Sequence, residues 1–239
     1  MWQRYLLLLV VGCLAPVTSA TGMGLRAFVA LPLDAGGAVL RLFGQHSTDR
    51  DVSVLTTNLA YGIARKHTLF LALPYRVSPS GNDRLGDLSV LYRYTLWQVD
   101  RPGATSRLGL LGGAILPTDN KRDARVQAGA VATFFRGRHE WDMDVLWVEG
   151  LNAARDAARY DVSWQYRLAP ARYPEWGSVP EWWGVLELNG RWLEGDDMVH
   201  QVTVGVQWVH RRWVLEGGVV QDLNGPEDAQ LVLSTRIHF

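Results

Sequence analysis

A single cysteine, only two lysines and a formal net charge of zero are the first things this 239-residue chain withholds. Cys13 lies in an N-terminal apolar stretch, so the rest of the chain has no disulfide framework and no thiolate metal site. The balance of 24 basic and 24 acidic residues argues against a nucleic-acid partner. After residue 20 no apolar run approaches the roughly 18 residues of a membrane helix. There is no Gly-x-Ser-x-Gly, and the six histidines are scattered without metal-site spacing.

What is present begins with a leader. Met-Trp-Gln-Arg precedes an apolar run from Tyr5 to Leu14, followed by Ala-Pro-Val-Thr-Ser-Ala. One positive charge, a short apolar core and small residues at Thr18 and Ala20 predict a secretory signal peptide over residues 1–20, cleaved after Ala20. Its removal takes away Arg4 and no acid. Val10-Val11-Gly12-Cys13 loosely fits a lipoprotein box, but the layout favours loss of Cys13 with the signal.

The remainder alternates. Asp161, Ser163, Gln165 and Arg167 face Tyr160, Val162, Trp164, Tyr166 and Leu168 across a period of two. Glu140, Asp142 and Asp144 likewise alternate with Trp141, Met143, Val145 and Trp147, and Gln201, Thr203 and Gln207 with Val202, Val204, Val206 and Trp208. About twelve such segments follow one another from Ala38, most near the roughly ten residues of a tilted membrane-crossing strand. In each clear segment one face carries no formal charge through its middle, while the other repeatedly carries Arg, Asp or Glu. An arginine facing lipid at mid-bilayer costs about 2–4 kcal/mol, which explains which face is charge-free.

The pattern predicts an all-β protein, a transmembrane antiparallel up-and-down β-barrel of about 12 strands over residues 35–239. Residues 21–34 are read as a lead-in or plug. Short turns are expected at 64–66, 99–104, 136–138 and 210–212, with a long, proline-containing connection at 173–181 on the same side. The other side takes the turn-rich loops, such as Gly81-Asn82-Asp83 and Asn224-Gly225. Trp97, Trp147, Trp192, Trp208 and Trp213 fall near strand ends, where aromatics form interfacial girdles. Trp176, Trp182 and Trp183 cluster at the proline-containing connection.

The inward face supplies the candidate lumen residues: Arg93, Arg107, Asp142, Asp144, Asp161, Arg167, Glu187, Arg191, Glu216 and Arg236. Glu140, Asp142 and Asp144 at i, i+2, i+4 could bind a cation. The favoured reading is a salt-bridge network with Arg125, Arg167 or Arg107, because a metal also demands ligand count and geometry. No catalytic, cofactor or metal residues are assigned and no cofactor is expected.

The last ten residues, Gln230 to Phe239, form an amphipathic strand closing on an aromatic residue. This resembles the terminal strand of bacterial outer-membrane barrels, a resemblance that implies recognition by the barrel assembly machinery. Arg84-Leu-Gly-Asp-Leu-Ser-Val-Leu-Tyr-Arg-Tyr94 is similar to the Gly-Asp-Leu strand of the MetA-pathway-of-phenol-degradation family of outer-membrane proteins. Ile115-Leu-Pro-Thr-Asp-Asn-Lys-Arg122 is similar to that family's Leu-Pro-Thr-Gly strand end, with Asp119 in place of Gly. The resemblance implies a small barrel in the outer membrane, among its lipids, linked to uptake of aromatic or other hydrophobic compounds. It supplies no catalytic residues.

The expected function is therefore passive passage of a small solute whose identity the sequence leaves open. A structural or interaction barrel with a closed, salt-bridged lumen is one alternative. A lipid-modifying enzyme is another, since outer-membrane lipases and deacylases place Ser and His on barrel strands.

Overall fold

The computed structural model describes residues 24–174, 177–225 and 229–239. The expected signal peptide with its Cys13, residues 21–23 of the lead-in and Trp176 lie outside the described residues. Twelve strands are present: β1 (Ala38–Ser47), β2 (Val52–Ala64), β3 (His67–Ser78), β4 (Leu88–Arg101), β5 (Ala104–Leu116), β6 (Arg125–Arg136), β7 (His139–Gly150), β8 (Ala157–Ala169), β9 (Glu181–Leu193), β10 (Val199–His210), β11 (Trp213–Asp222) and β12 (Ala229–His238). Each pairs antiparallel with its sequence neighbours, and β1 pairs with β12, so the sheet closes into a barrel. Closure leaves no strand edge unpaired, the condition for a sheet to stand in hydrocarbon.

The seam runs from Val39 opposite His238 to Ser47 opposite Gln230. The Phe239 N–H completes it by donating to the Ala38 carbonyl at 2.8 Å. We call this end of the barrel the lower rim. It holds the β2–β3, β4–β5, β6–β7, β8–β9 and β10–β11 connections, and the six others lie on the upper rim.

Side chains sort by the pleat. On β7, Glu140, Asp142, Asp144, Leu146 and Val148 are buried inside, while Trp141, Met143, Val145 and Trp147 are exposed outside. On β8, Asp161, Ser163, Gln165 and Arg167 point in. On β12, Gln230, Val232, Ser234, Arg236 and His238 do. The outer surface is thus an apolar belt. Trp147 and Trp192 stack near its upper edge, with ring centroids 5.5 Å apart. Trp97, Trp141, Trp182 and Trp213 are exposed toward its lower edge.

Three local readings of the sequence change. The β4–β5 turn shrinks to Pro102–Gly103, because the strands run on to Arg101 and from Ala104; Gly103 takes the φ of +70° that this tight turn requires. The alternation of β4 breaks at Leu96, which lies between the Thr95–Gly109 and Trp97–Leu108 pairs and puts both Leu96 and Trp97 outside. Trp182 and Trp183 part company: the first faces outward, and the second is buried inside with Val209, Val214 and Phe135.

The belt makes a graded prediction. Val145→Arg, in the middle of β7, should destabilise the folded protein by about 2–4 kcal/mol, whereas Leu231→Arg near the upper rim should cost roughly 0–1 kcal/mol. Reversible urea unfolding in lipid bilayers measures both, and equal costs would contradict a lipid-facing belt.

Candidate functional site

The interior is not an open pipe. Residues 24–34 precede β1 and run inside the barrel, with Leu25, Ala27, Val29 and Ala30 nearly inaccessible. This segment forms no strand, so its buried peptide groups need partners other than a ladder. The wall supplies them. The Arg26 N–H donates to both Glu187 carboxylate oxygens, at 3.2 and 3.1 Å. The Phe28 N–H donates to Asp144 Oδ2 at 2.7 Å, and the Ala30 N–H to Thr133 Oγ1 at 2.8 Å. Thr133 Oγ1 in turn donates a hydrogen bond to Asp142 Oδ1 at 2.6 Å, and Gln165 Nε2 donates to the other Asp142 oxygen at 2.7 Å.

Carbonyls are met from the opposite wall. Arg93 donates to the carbonyls of Val29 and Leu31, the latter at 2.6 Å, and to Thr68 Oγ1 at 3.0 Å. Arg41 donates to the Leu25 carbonyl and reaches Glu216 at 3.3 Å. Arg26 sends its guanidinium to Gln201 Oε1 at 2.6 Å. Bonds with an ionised partner are stronger than neutral ones, especially away from water.

Packing completes the clamp. Ala30 lies in an apolar cluster with Leu91, Leu111, Val131, Leu146 and Val148 on β4–β7, with Phe28 and Phe70 against it. The Phe28 and Phe70 rings meet edge-on at 5.8 Å, and the Arg159 guanidinium sits 4.5 Å from the Phe28 ring centroid. Leu25 fills a dimple where Gly205 and Gly218 face each other across β10 and β11. A Cβ on Gly218 would lie 3.0 Å from Leu25 Cδ1, and one on Gly205 closer still. Here glycine serves close approach rather than a turn.

The structure places all ten candidate lumen residues on the inner face, and it divides them. Arg93, Asp144 and Glu187 hold the segment directly, and Asp142 does so through Thr133 and by accepting from the Gly24 backbone. Asp161 pairs with Arg191 at 2.6 Å and with Arg159 at 3.2 Å. Glu216 bridges Arg41 and Arg236, at 3.3 and 2.8 Å. Arg107 and Arg167 lie toward the lower rim, Arg107 on Asp100 at 3.1 Å and Arg167 over the Tyr173 ring at 4.1 Å.

The partners expected for the β7 acids were wrong. Among the described residues none of Arg125, Arg167 or Arg107 forms an ion pair with them. Asp144 meets Arg159 at 3.6 Å instead, and Asp142 is hydrogen-bonded by neutral side chains. Arg107 pairs with Asp100 instead, and Arg167 lies over the Tyr173 and Trp183 rings. Arg41, Arg159 and Thr133 were missed as site residues. Each falls in the inward phase of its strand, the one signal available for it. Among the described residues no group of three or more His, Cys, Asp or Glu side chains is placed to hold a metal ion.

Two cavities flank the segment. One of about 650 Å³ opens at the lower rim, between Leu31–Asp34 and a wall that includes Phe70, Phe135, Trp183 and Val209. The β8–β9 connection contributes Tyr173 and Val179 to its mouth. Glu140 Oε1 and Arg107 Nε, two of its polar atoms, are buried without a hydrogen-bond partner among the described residues. The second, about 290 Å³, lies beside Arg26 and Phe28 and is edged by Arg41, Arg159 and Arg191.

One serine–histidine pair does form across strands, His46 Nδ1 with Ser53 Oγ at 3.0 Å, on the outer face near the upper rim. Among the described residues no carboxylate or amide bonds the other ring nitrogen of His46, so a base here lacks the orienting group that activates such a pair.

No protein-family model matches the sequence, and neither does any curated protein. Solved structures do. The chain is similar to the COG4313 outer membrane channel from Pseudomonas putida F1, at 18% identity and a TM-score of 0.54, over 88% of this chain and 98% of that one. It also matches LpxR from Salmonella typhimurium at 11% identity and a TM-score of 0.46, over 84% of this chain and 99% of that one. The first likeness establishes the fold, that of a bacterial outer-membrane β-barrel.

The dimple tests the docking of the segment. In a variant lacking Cys13 and carrying Ala27→Cys, the buried thiol should react slowly with a water-soluble maleimide. Adding Leu25→Ala removes the anchor at a cost of about 2 kcal/mol or more, so labelling should speed up roughly thirtyfold. Equal rates would show that Leu25 does not hold the segment.

Proposed function

We propose that the protein is an outer-membrane channel for small molecules, narrowed by its own N-terminal segment. The observation that carries this reading is a closed barrel, apolar outside, whose lumen holds residues 24–34 by hydrogen bonds to wall charges while cavities remain above and below. The matching Pseudomonas putida protein is an outer membrane channel, and the same role is assigned here as part of the proposal. In this orientation the lower rim faces the periplasm, the side of short turns in such barrels.

Passage is passive, and the lumen charges set the field a solute crosses. The apolar wall of the lower cavity, with Phe70, Phe135 and Trp183, supports a solute with aromatic or other hydrophobic surface. The resemblance of Arg84–Tyr94 to the phenol-degradation family points to the same solute class. A closed structural barrel is the second reading, favoured by the number of bonds that fix the segment in place.

Planar-bilayer recording separates the two. The mature chain should give small, salt-dependent conductance steps. Combining Leu25→Ala with Asp144→Asn should raise their size severalfold by freeing the segment. Neutralising Asp142 and Asp144 together should lower cation selectivity. If both the parent and the loosened variant fold, as shown by heat-modifiable migration, yet remain silent, the channel reading fails and the closed barrel stands.

A further inference from the structure

The two rims carry opposite charge. Counting only residues between strands, the upper connections hold twelve acidic and five basic residues, and the lower connections hold one acidic and six basic. The upper bases are partly spent within their own rim. Arg122 lies 2.6 Å from both Asp83 and Asp87, and Arg155 lies 3.1 Å from Asp196.

The lower excess has an order. Three hairpins repeat one composition: Arg65-Lys66-His67 between β2 and β3, Arg136-Gly137-Arg138-His139 between β6 and β7, and His210-Arg211-Arg212 between β10 and β11. Each has two permanent cations and one histidine. In a ring of twelve strands they stand four strands apart, a third of the perimeter each. Among the described residues none of these six cations forms an ion pair with a carboxylate.

Each hairpin also sits beside aromatic side chains of the outer belt. His67 is hydrogen-bonded to Tyr92 and lies 5.3 Å from the Tyr94 ring. His139 lies 5.0 Å from Tyr166 and accepts a hydrogen bond from Trp164 Nε1 at 3.2 Å, while the Arg138 guanidinium covers the Tyr166 face at 4.6 Å. His210 lies 5.7 Å from Trp208 and is paired across the ladder with Trp213. Outward aromatics of this kind mark the depth of lipid headgroups, so the three hairpins stand at phosphate level; Arg138 is steadied there by the Arg167 and Leu168 carbonyls, both at 2.8 Å, and Arg211, which borders the lower cavity, donates to Ser178 Oγ at 3.4 Å.

We infer that the lower rim carries three binding sites of like composition for the phosphate of an anionic phospholipid headgroup, one at each basic hairpin. Two cations, a histidine and adjoining aromatic faces suit a phosphodiester without a compensating ammonium. A zwitterionic headgroup brings its own cation and gains less. The aromatic belt favours a lipid over a soluble anionic polymer, because it sets the cations at the edge of the bilayer. This inference rests on the membrane reading of the barrel and not on whether the lumen conducts.

The test uses the full mature chain, folded into phosphatidylcholine bilayers that contain a trace of spin-labelled phosphatidylglycerol or spin-labelled phosphatidylcholine. Flotation with the vesicles comes first, and failure to float defeats the membrane reading itself. The motionally restricted lipid fraction then reports association. The phosphatidylglycerol label should be preferred about fivefold or more at low salt, and the preference should fall as salt screens it. Paired substitutions, R65Q with K66Q, R136Q with R138Q, and R211Q with R212Q, should each remove part of the preference, and all six together should abolish it. R50Q with R84Q and R155Q on the upper rim should leave it unchanged. Equal association of both labels with the unsubstituted chain overturns the proposal without any variant, even if the rim then retains a soluble anionic glycan. A preference that survives all six substitutions in a folded barrel overturns it as well.

Discussion

A peptide segment without a ladder, inside a barrel, has to find a hydrogen-bond partner for each buried N–H and C=O or lose the free energy of leaving it bare. That constraint organises the interior of this protein. Glu187 and Asp144 accept from the backbone where the segment presents N–H groups, and Arg93 and Arg41 donate where it presents carbonyls. The wall charges are therefore matched to the polarity of one particular backbone path. A buried ion pair would satisfy the charges equally well but would leave the segment's peptide groups unmet.

The inner wall divides accordingly. On β4–β7 it offers an apolar patch of Leu91, Leu111, Val131, Leu146 and Val148, which packs on Ala30 beside the buried Arg93, Thr133, Asp142 and Asp144. On β8–β12 it offers Asp161, Gln165, Glu187, Asn189, Thr203, Glu216 and Arg236, linked into networks such as Thr203 to Asn189 at 2.7 Å and Asn189 to Asp161 at 2.6 Å. Arg159 and Arg191 close the second network from the side, and Arg159 also covers Phe28. The side chains of the segment follow suit: Ala30 enters the apolar patch with Phe28 against it, and Arg26 reaches Gln201 on the polar side.

Much of this frame was legible in the sequence, because the pleat has a period of two and lipid penalises charge on one face only. β8 shows it most plainly, with Asp161, Ser163, Gln165 and Arg167 on one side and an unbroken apolar series on the other. Legibility fades where the inward face is apolar as well. Leu111 on β5 and Val131 on β6 point into the lumen and blur the alternation, for a reason visible only once the segment lies against them. The bulge at Leu96 is a local backbone choice that side-chain pattern does not encode. The pairing of Asp144 with Arg159, rather than with Arg125 or Arg167, depends on register between strands and on what else competes for each arginine. His46 and Ser53 meet for the same reason: they are opposite each other in the β1–β2 ladder, seven residues apart in the chain.

A ring of strands is a hoop, stiff along each strand but free to flatten across its diameter. The segment before β1 reaches β9, β10 and β11 through Gly24, Leu25 and Arg26, crosses to β6 and β7 through Phe28 and Ala30, and arrives at β4 through Val29 and Leu31. It acts as a set of spokes. Lateral pressure from the surrounding bilayer that would make the section oval has to stretch or break these contacts. A state with the segment withdrawn has a softer wall as well as a wider bore, so patency and roundness are mechanically opposed in this barrel.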